Sequence, residues 1–247
     1  MPDFDTTFLL ALVIVFFAAA MAGLAGFGFS IVSVPVLLLL YDPSTVLALN
    51  KILTLGTTWI ILVGNVHHIS WRHLVRLVPF ALVGLVGGVW VLKALDADAI
   101  RVIVGVTVLG FALLLLSGVI RHIPERPWMA PITGLISGVS STSTGMSGPP
   151  LVLFFTVIAL PVEVFRATSV TYFLLLDLVG FPALISQGIV SRADVLLSLL
   201  LAPAALAGRW AGSWLVPYIS PAGFRRVVLG LLLLTGSIAI ANVILAG

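Results

Sequence analysis

Long apolar runs, interrupted by two stretches of glycine and hydroxylated residues, restrict this chain to a membrane. Read by length, the runs are Thr7–Ala22, Phe29–Tyr41, Ser44–Gly64, Leu74–Leu95, Ala99–Ile120, Trp128–Ser137, Pro149–Leu160, Val162–Ser186, Ala193–Val216 and Gly223–Ala246. A spanning helix takes about 20 residues. Six of these ten runs reach that length, and the four short ones flank the two breaks. The first break is Gly23-Leu24-Ala25-Gly26-Phe27-Gly28-Phe29-Ser30. The second runs from Ser137 through Ser140-Ser141-Thr142-Ser143-Thr144-Gly145-Met146-Ser147 to Gly148-Pro149-Pro150. Backbone that leaves the helix inside lipid has to bury its N–H and C=O groups in protein or around a water-filled cavity. The breaks are therefore the first places to look for a substrate.

Composition agrees. Charged residues make up 9% of the chain, against about 25% in a soluble domain. The fold class expected is an all-α integral membrane protein. A net charge of +3 is too small to point to nucleic acid, and the absence of cysteine excludes disulfides, thiolate metal sites and cysteine nucleophiles. The acidic N-terminus lacks the basic start of a signal peptide, so the first helix is expected to be retained.

The two halves look like copies. Pro79, Gly84 and Gly88 repeat as Pro203, Gly208 and Gly212 at identical spacing, and Arg101 with Gly105 repeats as Arg226 with Gly230. Ile69–Arg72 is echoed by Ile189–Arg192, and Pro43 by Pro161. Residues 1–122 and 123–247 thus read as two repeats, each a broken-helix pair, as short spans or a re-entrant hairpin, followed by three full spans. An odd number of crossings per repeat starts the second from the opposite face, giving inverted topology. One face collects Arg72, Arg76, Arg121, Arg126, Arg166, Arg225 and Arg226. The other collects Lys93, Arg101 and Arg192. The positive-inside rule makes the first face cytoplasmic and places both termini outside.

Helix N-termini at the breaks offer unpaired N–H groups and partial positive charge, which suits an anion. The candidate binding residues are Gly26, Gly28 and Ser30 at the first break, and Ser140, Ser141, Thr142, Ser143, Thr144, Gly145, Ser147 and Gly148 at the second. Close helix packing is the competing reading for the small residues. Lys51, preceded by Asn50, lies deep in an apolar run, where an ammonium costs a few kcal/mol unless it faces a cavity or a partner. Arg166, Thr168 and Ser169 take the matching place in the second half, and a surface position suits Arg166 equally. Asp177, the one acid deep in a long run, could pair with Lys51 or Arg209 or carry a coupling proton. Arg209 is deep as well, with a snorkelling position as the alternative. His67 and His68 lack a third metal ligand and read as interfacial, and no metal or other cofactor is expected. A hydrolytic serine in the second break would need a base brought from far along the chain.

The Gly-rich stretch before Val34-Pro35, Ala48-Leu49-Asn50-Lys51, Gly134 with Gly138, Gly148-Pro149-Pro150-Leu151-Val152-Leu153 and Arg166-Ala167-Thr168-Ser169 together resemble the TauE/SafE family. The resemblance covers nearly the whole chain. It implies a transporter of the inner membrane, not an enzyme, exporting small sulfur-containing anions such as sulfite, sulfoacetate or related sulfonates on an ion gradient. Its partners are then the lipid bilayer and a small anionic substrate, with a homodimer as the assembly to test. A passive anion channel and a carboxylate transporter are the alternatives.

Overall fold

The computed structural model describes residues 6–63, 65–117 and 122–215. Among these residues the secondary structure is entirely helical. It comprises α1 (Thr6–Ala25), α2 (Phe29–Leu37), α3 (Pro43–Thr57), α4 (Trp59–Leu62), a 3-10 turn (Val66–His68), α5 (Trp71–Ala94), α6 (Ala97–Leu116), α7 (Met129–Ser143), α8 (Gly148–Val157), α9 (Val162–Ser186) and α10 (Arg192–Leu215). Six stretches are long and apolar enough to span a membrane: Thr6–Ala25, Pro43–Leu62, Trp71–Ala94, Ala97–Leu114, Val162–Ser186 and Arg192–Leu215. Large apolar side chains such as Val75, Val83, Trp90, Leu196 and Trp210 face outward along these helices. In lipid those faces carry no penalty. The chain is a multi-pass integral membrane protein.

Both breaks are narrower than composition suggests. α1 continues past Ala22 to Ala25, which makes its 20 residues a full span in themselves. α7 continues past Ser137 to Ser143. Ser140, Ser141, Thr142 and Ser143 are therefore helical, and the break proper is Thr144–Ser147. Hydroxyls survive in such a helix by bonding back to the preceding turn. Ser143 Oγ donates to the Val139 carbonyl (2.8 Å) and Thr144 Oγ1 to the Ser140 carbonyl (3.0 Å). The chain turns where glycine permits positive φ: Gly26 (+78°) and Gly28 (+101°) in the first break, Gly145 (+76°) in the second.

The Pro–Gly–Gly pattern does the same work in both halves. Gly84 and Gly88 of α5 lie against the Leu135 and Val139 carbonyls of α7, whose Gly134 and Gly138 meet the Leu77 and Ala81 carbonyls in return. Gly208 and Gly212 of α10 lie against the Phe16 and Ala20 carbonyls of α1, while Gly23 of α1 meets the Arg209 carbonyl. Each half thus lends its glycine-bearing helix to the other half's helix before the break. Backbones at this distance leave no room for a Cβ, which is the usual basis of small-residue packing in membranes.

Shorter bonds fix the helix starts in the same crossed manner. The Ser70 N–H ahead of α5 donates to Thr168 Oγ1 of α9 (2.9 Å). At the start of α10, Asp194 accepts from Ser191 N–H and Oγ, and from Thr45 Oγ1 of α3 (2.7 Å). Arg72, Arg76 and His73 gather on Glu125 at one end of α5, while Lys93 at the other end donates to Gln187 Oε1. The run Gly223–Ala246, the repeat pair Arg226 and Gly230, and the topology markers Arg121, Arg225 and Arg226 lie outside the described residues.

Gly138→Ala drives a methyl into the Ala81 carbonyl and is expected to cost about 1–3 kcal/mol. Gly110, with open space at its Cβ position, accepts the same change with little effect. Thermal unfolding in detergent compares the two variants, and equal midpoints would exclude the close α5–α7 approach as a stabilising element.

Candidate functional site

The sequence brings α2 and α8 together because both are short, apolar and released by a glycine turn. Gly148, the first residue of α8, packs on Ile31 of α2, and Gly145 lies beside Val34 and Leu47. Beside this meeting point is a small cavity with an open mouth. The first break lines it with Gly26, Phe27, Gly28, Phe29 and Ser30, the second with Gly145 and Ser147. Helix α3 adds Asn50, Lys51 and Thr54, α9 adds Phe173 and Asp177, and Thr58 and Arg209 close the wall.

The polar wall is built in layers. Lys51 is buried, and its ammonium donates to Asp177 Oδ1 and to Ser141 Oγ, both at 2.5 Å. The carboxylate supplies the countercharge that an ammonium at this depth requires. Asn50 Nδ2 donates to Ser33 Oγ (3.2 Å) and to the Val46 carbonyl, which ties α3 to α2. Thr57 and Thr58 donate to the Leu53 and Thr54 carbonyls. Such back-bonds bend helices, and the chain breaks here from α3 into α4. The bend presents Thr58 Oγ1 to Arg209 Nη1 at 3.4 Å.

Arg209, read from the sequence as a deep residue and a possible partner of Asp177 but not as a binding residue, lines the cavity. It is 3% exposed, its Nε has no hydrogen-bond partner, and among the described residues no carboxylate oxygen comes within 4.0 Å of it. A guanidinium in this state has donors to spare, in a fork that matches planar or tetrahedral oxyanions. A usable sign was present. At the register of Gly84 and Gly208, Arg209 stands where the first half has Leu85. An arginine replacing a leucine between two packing glycines is not explained by packing.

The helix ends add to the same field. Gly28 caps α2 with left-handed backbone and no side-chain bond, and this nine-residue helix begins at the cavity, with Gly28, Phe29 and Ser30 in its lining. Ser147 likewise precedes α8 without a side-chain cap. Its carbonyl is held by Ser137 Oγ at 2.7 Å.

Of the residues singled out in the sequence, Gly26, Gly28, Ser30, Asn50, Lys51, Gly145, Ser147 and Asp177 line the cavity. Ser141 stands one bond behind, under Lys51. The rest lie outside the lining. Thr142 donates to the Leu85 carbonyl (2.7 Å) and secures the α5–α7 crossing. Ser143 and Thr144 are spent on their own helix, while the Ser140 carbonyl receives the N–H groups of Thr144 and Met146. Thr168 braces the start of α5, and Ser169 is fully buried with an unpartnered hydroxyl. Arg166 turns inward and donates from Nη2 to the Gly23 carbonyl (2.9 Å), a cation on the C-terminal turn of α1. No cluster of three or more potential metal ligands occurs among the described residues.

Comparison with known proteins points to one class. The family profile described as Sulfite exporter TauE/SafE matches residues 11–238. The chain is 28% identical, over 220 residues, to a Cupriavidus necator protein named "Probable sulfite/organosulfonate exporter TauE", with 86% of this chain and 84% of that one covered. No solved structure matches the chain.

The Lys51–Asp177 pair makes a stability prediction. Lys51→Met strands a buried carboxylate and is expected to cost about 3–5 kcal/mol, whereas the double variant Lys51→Met/Asp177→Leu recovers most of that loss. Thermal unfolding of both variants checks this. A double variant less stable than Lys51→Met alone would show that the two charges do not answer each other.

Proposed function

This chain belongs to the TauE/SafE family of sulfite exporters, and from that membership we propose that it exports a small sulfur-containing oxyanion. Sulfite, sulfoacetate and related organosulfonates are the candidates, carried out across the inner membrane with both chain termini on the far side. Membership alone places the chain among membrane exporters, not enzymes. The observation that carries the finer reading is the cavity, where Arg209 lies buried with unused donors beside the uncapped start of α2. The substrate's oxygens would take Arg209, the N–H groups at Phe29 and Ser30, and the hydroxyls of Ser30 and Ser147. The phenyl rings of Phe27, Phe29 and Phe173 suit a short carbon chain behind a sulfonate head.

Alternating access follows from the crossed packing if the two halves are inverted copies. A two-fold axis in the membrane plane would exchange α1 with α7, α2 with α8, α3 with α9 and α5 with α10. The tight pairs α5–α7 and α1–α10 would then move as units, sliding past each other at the α2–α8 and α3–α9 contacts, where the cavity lies. Rocking of this kind opens the same site to the two faces in turn.

Purified protein in liposomes should carry sulfite or sulfoacetate, and Arg209→Gln should lower initial flux at least tenfold. A ligand screen by thermal shift supplies the second measurement: sulfite and sulfonates are expected to raise the unfolding midpoint more than carboxylates of equal charge. Stabilisation by carboxylates alone would remove the sulfur assignment. Flux indifferent to an imposed proton gradient would favour a passive channel.

A further inference from the structure

Three charged side chains meet in the cavity: Lys51 and Arg209, both cationic, and Asp177, which spends one carboxylate oxygen on Lys51. With Asp177 ionised the cluster carries a surplus of one positive charge. With Asp177 protonated the surplus is two. Net charge in a water-poor site is costly, so the favoured occupant is the anion that cancels the surplus. Resting on the reading of this cavity as the anion site, we propose that Asp177 takes up one proton when a dianion enters and stays ionised when a monoanion enters.

The geometry makes the exchange local. Asp177 holds the Lys51 ammonium at 2.5 Å, as a bound oxyanion would, so it occupies the place of a second substrate charge. An arriving dianion competes with it for Lys51. A proton supplied by the buffered bulk through the cavity mouth passes to a carboxylate oxygen of Asp177, the Lys51–Asp177 ion pair is lost, and the ammonium turns to the substrate while keeping Ser141 Oγ. When the anion leaves, the proton leaves and the pair re-forms. A transporter built this way moves a dianion together with one proton, and a monoanion alone.

Among the described residues, the groups facing Asp177 leave no rival titrating partner nearby. Helix α3 presents Lys51 and α10 presents Arg209. Helices α4, α7 and α8 contain no acid or base, and α7 contributes the Ser141 hydroxyl. On α5, Arg72, His73 and Arg76 are engaged with Glu125 and Lys93 with Gln187, toward the two helix ends. His67 and His68 are exposed.

Sulfoacetate and methanesulfonate separate the cases, since they share a sulfonate head and differ by one charge throughout the neutral range. Titration calorimetry of the unaltered protein, in zwitterionic buffers of different ionisation heat, counts the protons taken up on binding. Sulfoacetate is expected to take up about one proton, with affinity falling about tenfold per pH unit above neutrality. Methanesulfonate is expected to take up none. A proton count near zero for sulfoacetate overturns the coupling while leaving the anion site in place. Failure of both anions to bind removes the site and the proposal with it. The charge-conserving double variant Lys51→Gln/Asp177→Asn locates the proton: it should bind sulfoacetate more weakly for want of the Lys51 ammonium, and take up no proton in doing so. Proton uptake persisting in that variant overturns the role of Asp177.

Discussion

Everything in this structure depends on how closely two pairs of backbones approach. Lipid gives helices no hydrophobic reason to associate with one another, so contact has to come from van der Waals packing and bonds between helices. The glycines of α5 on α7, and of α10 on α1, supply it by letting backbone meet backbone carbonyls at the crossing. The consequence reaches the site directly. α1 and α7 are the helices that end at the breaks, so the clamped pairs fix where Gly26 and Gly145 turn the chain. A methyl group at one of these crossings would displace a break by tilting the helix that leads to it.

Placed there, the breaks solve a problem of unmet polar groups in two unlike ways. At the second, hydroxyls bind the chain to itself: Ser137 holds the Ser147 carbonyl, and Ser143 and Thr144 bond back along α7. At the first, glycine and phenylalanine leave the start of α2 open to the cavity, while Arg166 and Ser213 satisfy the Gly23 carbonyl behind it. One break is closed on itself and the other is available. The hydroxyl-rich stretch that looks chemically richer in sequence is the better satisfied of the two.

That inversion explains what could be read from the residues alone. Membrane location, helical class, the glycine turns and the depth of Lys51 and Asp177 all follow from hydropathy and single-residue cost, which act locally. Five of the six span-length runs read from the sequence recur as helices within a few residues, and the sixth, Gly223–Ala246, falls outside the described residues. The end of α7 was not legible. Hydroxyl-rich sequence reads as a break in polarity terms, yet each Ser or Thr can bond the preceding turn and remain helical. Nor could the sequence assign Thr142, Thr168 and Arg166 away from the cavity. Their partners, the Leu85 carbonyl, Ser70 and the Gly23 carbonyl, belong to the other half of the chain.

The charges deserve a different account from the scaffold that carries them. At the register of Pro43 and Pro161, Lys51 falls opposite Ser169 and Asp177 opposite Trp59, and at that of Gly84 and Gly208, Arg209 falls opposite Leu85. The packing glycines match across the halves, whereas none of the three charged residues has a charged counterpart. Equivalent charges in both halves would double the desolvation cost of the cluster. Leaving each charge unmatched keeps that cost to three groups, Lys51 in the first half and Asp177 and Arg209 in the second, of which Lys51 and Asp177 already neutralise each other. The third, Arg209, keeps the least satisfied donors among these charges.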